Sequence, residues 1–268
     1  MKNERNDRNG RRNGRVRTEA APVGTPDEGV VFGRNAVKEL LASGKDIDKV
    51  LVARGDRDGS ISVLVAQTLE RGIPLLEVDR KKLDAMCAGG VHQGIVAMAA
   101  LATYVDVSDI LAYAEERGEA PMLVICDGVE DPHNLGAIIR SAECSGVHGV
   151  IIPKRRAVGL TAVVAKSSAG ALEHMRVARV TNLASTLDEL KERGFWIYAA
   201  DMGGEKYSEI DYSGSVAVVL GSEGFGISRL VKEKCDFIAS IPLYGKVNSM
   251  NVSCAAAVIL TEVAKQRH

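Results

Sequence analysis

Apolar runs of strand length alternate with apolar residues at helical spacing along most of this chain. In its first third the pattern predicts helices over Asn35 to Ala42, Ser60 to Glu70 and Lys81 to Cys87, and strands over Val50 to Ala53, Ile73 to Val78 and Ile95 to Leu101. From Met122 the alternation becomes regular. Strands are predicted over Met122 to Cys126, Gly149 to Pro153, Val177 to Val180, Trp196 to Ala200, Ser215 to Leu220 and Phe237 to Ile241. Between them the 3.6-residue period predicts a helix after Asn134 and others over Thr161 to Leu172, Leu183 to Glu192 and Ser228 to Lys234, with a last one over Val252 to Lys265. Strands alternating with helices give the α/β class, with a mostly parallel sheet covered by helices on both faces. Ligands of such sheets bind at the carboxyl ends of the strands.

The pattern divides the chain into a small α/β unit at 29–101 and a larger one at 121–268. Residues 102–120 carry Asp106, Asp109, Glu115, Glu116 and Glu119 around one weak helical pattern, Val107 to Ala114, and are expected to act as an acidic spacer. The net charge of −1 over 268 residues hides an asymmetry: Lys2, Arg5, Arg8, Arg11, Arg12, Arg15 and Arg17 crowd a start with no apolar stretch. Residues 1–28 therefore read as a disordered basic tail and not as a signal peptide. Hydrophobic content of 46% with 26% charged is that of a soluble globular protein. No apolar run is long enough to span a membrane. Five scattered cysteines, Cys87, Cys126, Cys144, Cys235 and Cys254, read as reduced core thiols of a cytoplasmic protein, and the five histidines contain no H-x-x-x-H pair, so no metal site is expected.

Candidate chemistry concentrates just after three predicted strands. Asp127 to Arg140 reads DGVEDPHNLGAIIR, a polar loop leading into a helix. Asp131-Pro132 makes a turn and Asn134 stands where an N-cap belongs. Gly136 and Arg140 lie one turn apart, and Arg140 leans back toward the loop, so that a guanidinium over bare glycine backbone forms a phosphate site; an ordinary βα turn with a solvated Arg is the alternative. Gly221 to Gly226 reads GSEGFG, which is neither the dinucleotide fingerprint nor, lacking a lysine, a P-loop. Ile241-Pro242-Leu243 and Asn248-Ser249-Met250-Asn251-Val252-Ser253 follow, with Asn251 and Ser253 at a helix start.

These three segments, N-x-G-x-x-x-R, G-S-E-G-x-G and I-P-L with S-M-N-V-S, resemble in order and spacing the motifs of the SpoU–TrmH (SPOUT) family of S-adenosyl-L-methionine-dependent RNA ribose 2′-O-methyltransferases. The resemblance covers most of 121–268 and implies a deep trefoil knot in the C-terminal segment, a homodimer, and cofactor held by Leu220, Gly221, Ile241 and Met250, the last in place of a common Leu. It implies catalytic roles for Asn134, Arg140, Glu223, Ser249 and Asn251, with Ser249 and Asn251 facing Arg140. Arginine stays protonated in nearly all proteins, so Arg140 is expected to bind a phosphate and act on the hydroxyl electrostatically or relay its proton. The last helix, with Ala255 to Leu260 in one apolar run, is expected to be buried on all sides, within the domain and against a second subunit; Thr161 to Leu172 resembles a segment on the RNA and dimer side. Gly33-Arg34-Asn35 and Val91 to Ile95 resemble the family's N-terminal substrate-binding module, which is similar to the ribosomal protein L30e fold, and make Arg34 and Gln93 candidate RNA contacts; the basic tail is a candidate arm for RNA phosphates. The layout and the segments DPHNLGAIIRSAE and GVHGVIIPKRRAVGLT favour a guanosine of 23S rRNA as target. The alternatives are a tRNA or resistance-type rRNA 2′-O-methyltransferase and a non-catalytic RNA-binding or ribosome-associated protein.

Overall fold

The computed structural model of the protein describes residues 27–55 and 59–268; the basic arm expected of the tail lies outside the described residues up to residue 26. The first unit runs β1 (Val30–Phe32), α1 (Arg34–Ala42), β2 (Ile47–Ala53), α2 (Gly59–Glu70), β3 (Leu75–Val78), α3 (Arg80–Met86) and β4 (Ile95–Ala99). Its four strands lie in the order β1-β4-β2-β3, with β2 and β3 parallel and the other pairs antiparallel. Strand β1 has three half-buried residues, too few for a period-2 pattern to announce.

Helix α4 (Val107–Glu116) precedes the second unit: β5 (Met122–Asp127), α5 (Pro132–Cys144), β6 (Gly149–Pro153), α6 (Ala162–Ser167), a 3₁₀ turn (Ala171–Glu173), β7 (Arg176–Val180), α7 (Leu183–Glu192), β8 (Phe195–Lys206), β9 (Ser215–Gly221), α8 (Arg229–Lys232), β10 (Phe237–Ser240) and α9 (Val252–Arg267). All six strands are parallel, in the order β10-β8-β9-β5-β6-β7. The strands read as unbroken apolar runs because both faces are covered. Val124, Val218, Leu135, Ile138 and Ile259 fill one side under α5 and α9, while Leu123, Ile125, Ala217, Leu187 and Ile110 fill the other under α7 and α4. The chain runs outward from β5 through β6 to β7 and then crosses to the far side of β5. Adjacent strands β5 and β9 therefore form the switch point of the sheet, where a crevice opens beyond the carboxyl ends.

Several expectations change. The helix predicted over Thr161 to Leu172 stops at Ser167, because Ala169 (φ 50°) and Gly170 (φ 93°) turn left-handed before the 3₁₀ turn. Strand β8 continues to Lys206, with Glu205 and Lys206 pairing to β10 after a register shift. The stretch expected as an acidic spacer is packed: Val105 bridges to Ala178, and fully buried Ile110 fills the room left by Gly149. Within this chain helix α9 is covered on one side, by way of Val252, Ala256, Ile259, Leu260 and Val263, while Cys254 and Thr261 are exposed on the side expected to meet a second subunit. Among the cysteines, Cys87 and Cys126 are buried, Cys235 is half-buried, and Cys144 and Cys254 are exposed.

Gly136 has a different use from the phosphate site read in the sequence. It is buried where α5 crosses α6, and a Cβ there would meet Ser167 Cβ at 2.5 Å and the Val164 carbonyl oxygen at 2.8 Å. Replacing it with alanine is expected to destabilise the protein by about 1–3 kcal/mol in urea unfolding, despite the better helix propensity of alanine, because the obstacle is backbone of a packed helix.

Candidate active site

Helix α5 starts one turn earlier than the sequence suggests. Asp131 is its N-cap, accepting a hydrogen bond from the His133 backbone N–H at 2.8 Å, and Pro132 occupies the first helical position. Asn134, expected as the cap, is instead buried in the first turn. Its Oδ1 accepts a hydrogen bond from Asn251 Nδ2 at 3.0 Å, and the same Nδ2 donates to Glu223 Oε1 at 2.7 Å. Asn251 is also the N-cap of α9: its Oδ1 accepts from the backbone N–H groups of Ser253 and Cys254 at 3.0 and 3.3 Å and from Ser253 Oγ at 2.6 Å. One amide thus joins the first turn of α5, the loop after β9 and the start of α9, and each of its polar atoms is committed.

The loop after β9 is held from two directions. Ser222 and Gly226 exchange backbone hydrogen bonds at 3.0 and 2.9 Å, closing a tight turn with Glu223 and Phe225 on it. Gly221 sits directly against the backbone of Gly226 and Ile227, where a Cβ has no room. Asp127, at the end of β5, accepts the Ser228 backbone N–H at 2.7 Å and anchors the far end of the loop. Sequence reasoning gave Asp127 no role; a carboxylate ending an apolar strand opposite a glycine-rich loop was the available signal.

On one side of this turn lies a cleft of about 690 Å³ in which Leu220, Gly221, Ile241, Ser249, Met250 and Asn251 all take part in the wall. The four residues expected to hold the cofactor are therefore together. The only charged side chains on this cleft are Asp201 and Glu223, and Asp201 is paired with Lys232 at 2.7 Å. Partly apolar walls, exposed glycine backbone and net negative charge suit a ligand of drug-like size with a flat ring system and a positive centre, and S-adenosylmethionine, with its adenine and sulfonium, is such a ligand. Ser249 lines the cleft and makes no hydrogen bond with the described residues. Cys126 below the site is fully buried and its thiol is pushed up to about 12 by desolvation, so it offers no thiolate. Among the described residues no group of three His, Cys, Asp or Glu side chains has metal-binding geometry.

Arg140 is not part of this cluster. It lies six residues beyond Asn134, roughly 9 Å along α5 and about a third of a turn around it, and it lines neither this cleft nor the one beside it. Its side chain is exposed and bonds to none of the described residues. The expected facing of Ser249 and Asn251 toward Arg140 within one chain is therefore not found, because helix geometry turns residue 140 away. In the first unit Arg34 is likewise committed: its Nε donates to the Gln93 carbonyl oxygen at 3.2 Å and its Nη1 to Ser60 Oγ at 2.8 Å, while Gln93 Oε1 accepts the Arg34 backbone N–H at 3.0 Å. These two candidate RNA contacts first of all clasp the ends of the unit to each other.

Known proteins are similar to this chain in sequence and fold. The sequence profile of the SpoU rRNA methylase family matches residues 121–261, and that of the RNA 2′-O ribose methyltransferase substrate-binding domain matches residues 30–105. YacO of Bacillus subtilis, assigned to the TrmH family of tRNA/rRNA methyltransferases, is 48% identical over 239 residues, covering 89% of this chain and 96% of that one. A Staphylococcus haemolyticus protein with the same family assignment is 45% identical over 240 residues, with 89% and 96% covered. Among solved structures, the SpoU methyltransferase AviRb from Streptomyces viridochromogenes, crystallised with its cofactor AdoMet, has a TM-score of 0.56 at 23% identity over 89% of this chain and 90% of its own, a likeness of fold. The motif segments, the two matched domains and the close relatives agree, and the chain belongs to the SpoU rRNA methylase family.

Proposed function

We propose that this protein methylates the ribose 2′-hydroxyl of a guanosine in 23S rRNA, with S-adenosylmethionine as methyl donor. The observation that carries the reading is the Asn251 amide, which holds Asn134 and Glu223 together at the rim of an acidic, partly apolar cleft. S-adenosylmethionine supplies an electrophilic methyl group on a cationic sulfur, and its transfer to O2′ releases the hydroxyl proton and leaves the sulfur neutral. In this reading Leu220, Gly221, Ile241 and Met250 cradle the donor, and Glu223 balances its charge. Asn134 orients the ribose, and Ser249 and Asn251 shape the space between donor and hydroxyl. The intact Asn134–Asn251–Glu223 bridge speaks against a non-catalytic RNA-binding protein, for which its exposed carboxylate has no use. The matched N-terminal substrate-binding domain, absent from single-domain members, supports 23S rRNA over tRNA.

The same reading takes the protein to be a cytoplasmic homodimer with the family's C-terminal knot; no helix among the described residues is long and apolar enough to cross a membrane. Support for the dimer comes from the uncovered side of α5 and α9, where Ala137, Ser141, Cys144, Cys254, Val258 and Thr261 are exposed or half-exposed. Arg140 stands on that side of α5, where a second copy would enclose it and bring it toward RNA. Arg140→Ala is then expected to leave S-adenosylmethionine affinity within about twofold by calorimetry and to lower methyl transfer by about a hundredfold or more, with little rescue by Arg140→Lys, which lacks the planar fork. The deciding experiment is transfer of labelled methyl groups to a 23S rRNA transcript and to bulk tRNA, followed by mapping of alkali-resistant linkages. A single resistant linkage 3′ of a guanosine in the rRNA is expected. Modification of tRNA alone, or of a base, would overturn the assignment.

A further inference from the structure

A second and larger cleft, about 870 Å³, lies on the other side of the Ser222–Gly226 turn from the cofactor cleft. The two share Ser222, Glu223, Phe225, Gly226 and Val252, and Asn134 opens only into the second, so the turn and the hydrogen-bonded Asn134–Asn251–Glu223 bridge are the partition between them. Both are lined by carboxylates, and they differ in their cations. Where the cofactor cleft has no basic side chain, the second carries Arg155 and Arg156 from the loop after β6, and neither guanidinium makes a hydrogen bond or ion pair with the described residues. Four carboxylates share this cleft with the two arginines: Asp127 accepts the Ser228 N–H, Asp131 the His133 N–H and Glu223 the Asn251 amide, while Glu130 is exposed, so the cations that meet a phosphate here are those of Arg155 and Arg156 alone.

The backbone at this loop is also unusual. Arg156 has φ 57°, in the left-handed region that favours glycine, and its neighbour Val158 is tied by a backbone hydrogen bond of 3.1 Å to Val129 in the loop after β5. Alanine adopts the same conformation at Ala169, so the left-handed turn by itself carries no role; its effect here is to set the Arg156 cation on the wall of the cleft. Asn182, also on this cleft, caps α7 through its Oδ1, which accepts the Ser185 N–H at 3.3 Å, and its Nδ2 has no partner among the described residues. Phe225, on the turn between the clefts, is 96% exposed, a flat apolar face offered to solvent beside a polar pocket.

We propose that this second cleft receives the target nucleotide itself, extruded from its neighbours: Arg156, with Arg155, grips the flanking phosphate, the free amide of Asn182 donates to the base, and Phe225 stacks on a base. The proposal rests on the methyltransferase reading above and names the residues that position the substrate for it. A nucleotide so held has its ribose at the partition, where Asn134 and Glu223 meet the donor's cleft. Single-stranded RNA is recognised by this combination, a cation on the backbone, an aromatic face and hydrogen bonds to a splayed base.

The test compares the full-length protein with the double variant Arg155→Ala, Arg156→Gly, chosen because glycine removes the left-handed strain together with the cation. Its thermal midpoint is expected to be unchanged or higher. Its KM for a 23S rRNA fragment should rise about tenfold or more, with kcat and the calorimetric S-adenosylmethionine affinity within about twofold and the dependence of RNA binding on log salt less steep by about one to two. Phe225→Ala should weaken binding about tenfold, with recovery in Phe225→Tyr. Binding is also read by fluorescence anisotropy with a guanosine-containing oligoribonucleotide, so that the subsite is tested even if methylation fails. Absence of methyl transfer by the wild type would overturn the proposed function, whereas wild-type RNA affinity and salt dependence in the double variant would overturn the subsite. A fall in thermal midpoint with unchanged salt dependence would reduce Arg155 and Arg156 to structural roles and sink the proposal as well.

Discussion

Asn251→Asp is expected to leave the fold standing while methyl transfer falls by about two to three orders of magnitude. The two ends of Asn251 have separate tasks, and this substitution parts them. A carboxylate accepts the Ser253 and Cys254 backbone N–H groups as well as the amide oxygen does, and negative charge at a helix N-terminus is favourable, so the α9 cap survives. The other end loses its donor. The new oxygen would stand against Asn134 Oδ1 and against Glu223 Oε1, now at 3.0 and 2.7 Å from a nitrogen, and two acceptors and an anion cannot share that space. The bridge opens, and with it the partition between the two clefts. Urea unfolding within about 1 kcal/mol of wild type, together with the loss of activity, is the expected pair of results. Crowding two carboxylates raises the pKa of one of them, so part of the activity should return toward acid pH. Unchanged activity would show that the bridge has no catalytic part. Asn251→Ala removes cap and bridge together and should lower both stability and rate.

The second large effect is expected where the two units meet. Asp48 is 3% and Arg179 11% exposed at the side chain; their closest approach is 3.4 Å, and Arg179 also donates to the Ile47 and Asp48 carbonyl oxygens at 3.2 and 3.0 Å. Tyr104 donates its hydroxyl to Asp48 at 2.5 Å and accepts the Leu160 N–H at 3.0 Å, while Gly159 lies so close to Asp48 that no Cβ fits. Arg179→Met leaves Asp48 buried beside Tyr104 without its counter-ion, which costs about 3–5 kcal/mol for a pair this enclosed. The loss should appear in a denaturant titration or as earlier proteolysis near residue 104, with undocking of the first unit. The double variant Asp48→Leu, Arg179→Met should recover most of it, since an apolar pair of similar volume has no charge to desolvate. Burial holds the Asp48 carboxyl above its ordinary value of 3.8. An acid raised in the folded state adds stability that is complete below the unfolded value and is lost as pH climbs through the folded one. The gap between Arg179→Met and wild type should therefore narrow as pH falls toward the ordinary value of 3.8, since Asp48 in the folded protein protonates above it and then needs no partner. A gap independent of pH would mean that Arg179 acts through packing.

Much of this protein is legible in one dimension. Strands β5 and β9 are apolar at every central position, and such runs survive only where a sheet is covered on both faces, so the parallel α/β core and its order of elements follow from local pattern alone. The elements misjudged are those whose limits depend on partners distant in sequence. Strand β8 runs on past Ala200 because β10 accepts Glu205 and Lys206, and α6 stops at Ser167 where Ala169 and Gly170 reverse the backbone. Motif order and spacing brought Leu220, Gly221, Ile241 and Met250 to one cleft, because segments that each follow a parallel strand must end on the same edge of the sheet.

The sequence by itself determined the fold class, the two units and the family, since hydrophobic period and motif spacing are properties of neighbouring residues. Tertiary structure decided which side chains meet. It made Asp131 and not Asn134 the cap of α5, released Asn134 to bond Asn251, and gave Gly136 to the contact with α6. It carried Arg140 out of the cluster to an exposed face, a consequence of 100° per residue that only the direction of the neighbouring elements turns into a location. It also brought Arg156 and Asn182 to one cleft and Asp48 against Arg179, pairs that no local pattern links. Distance along the chain is erased by folding, so contacts between remote polar side chains are fixed only when the packed elements fix them.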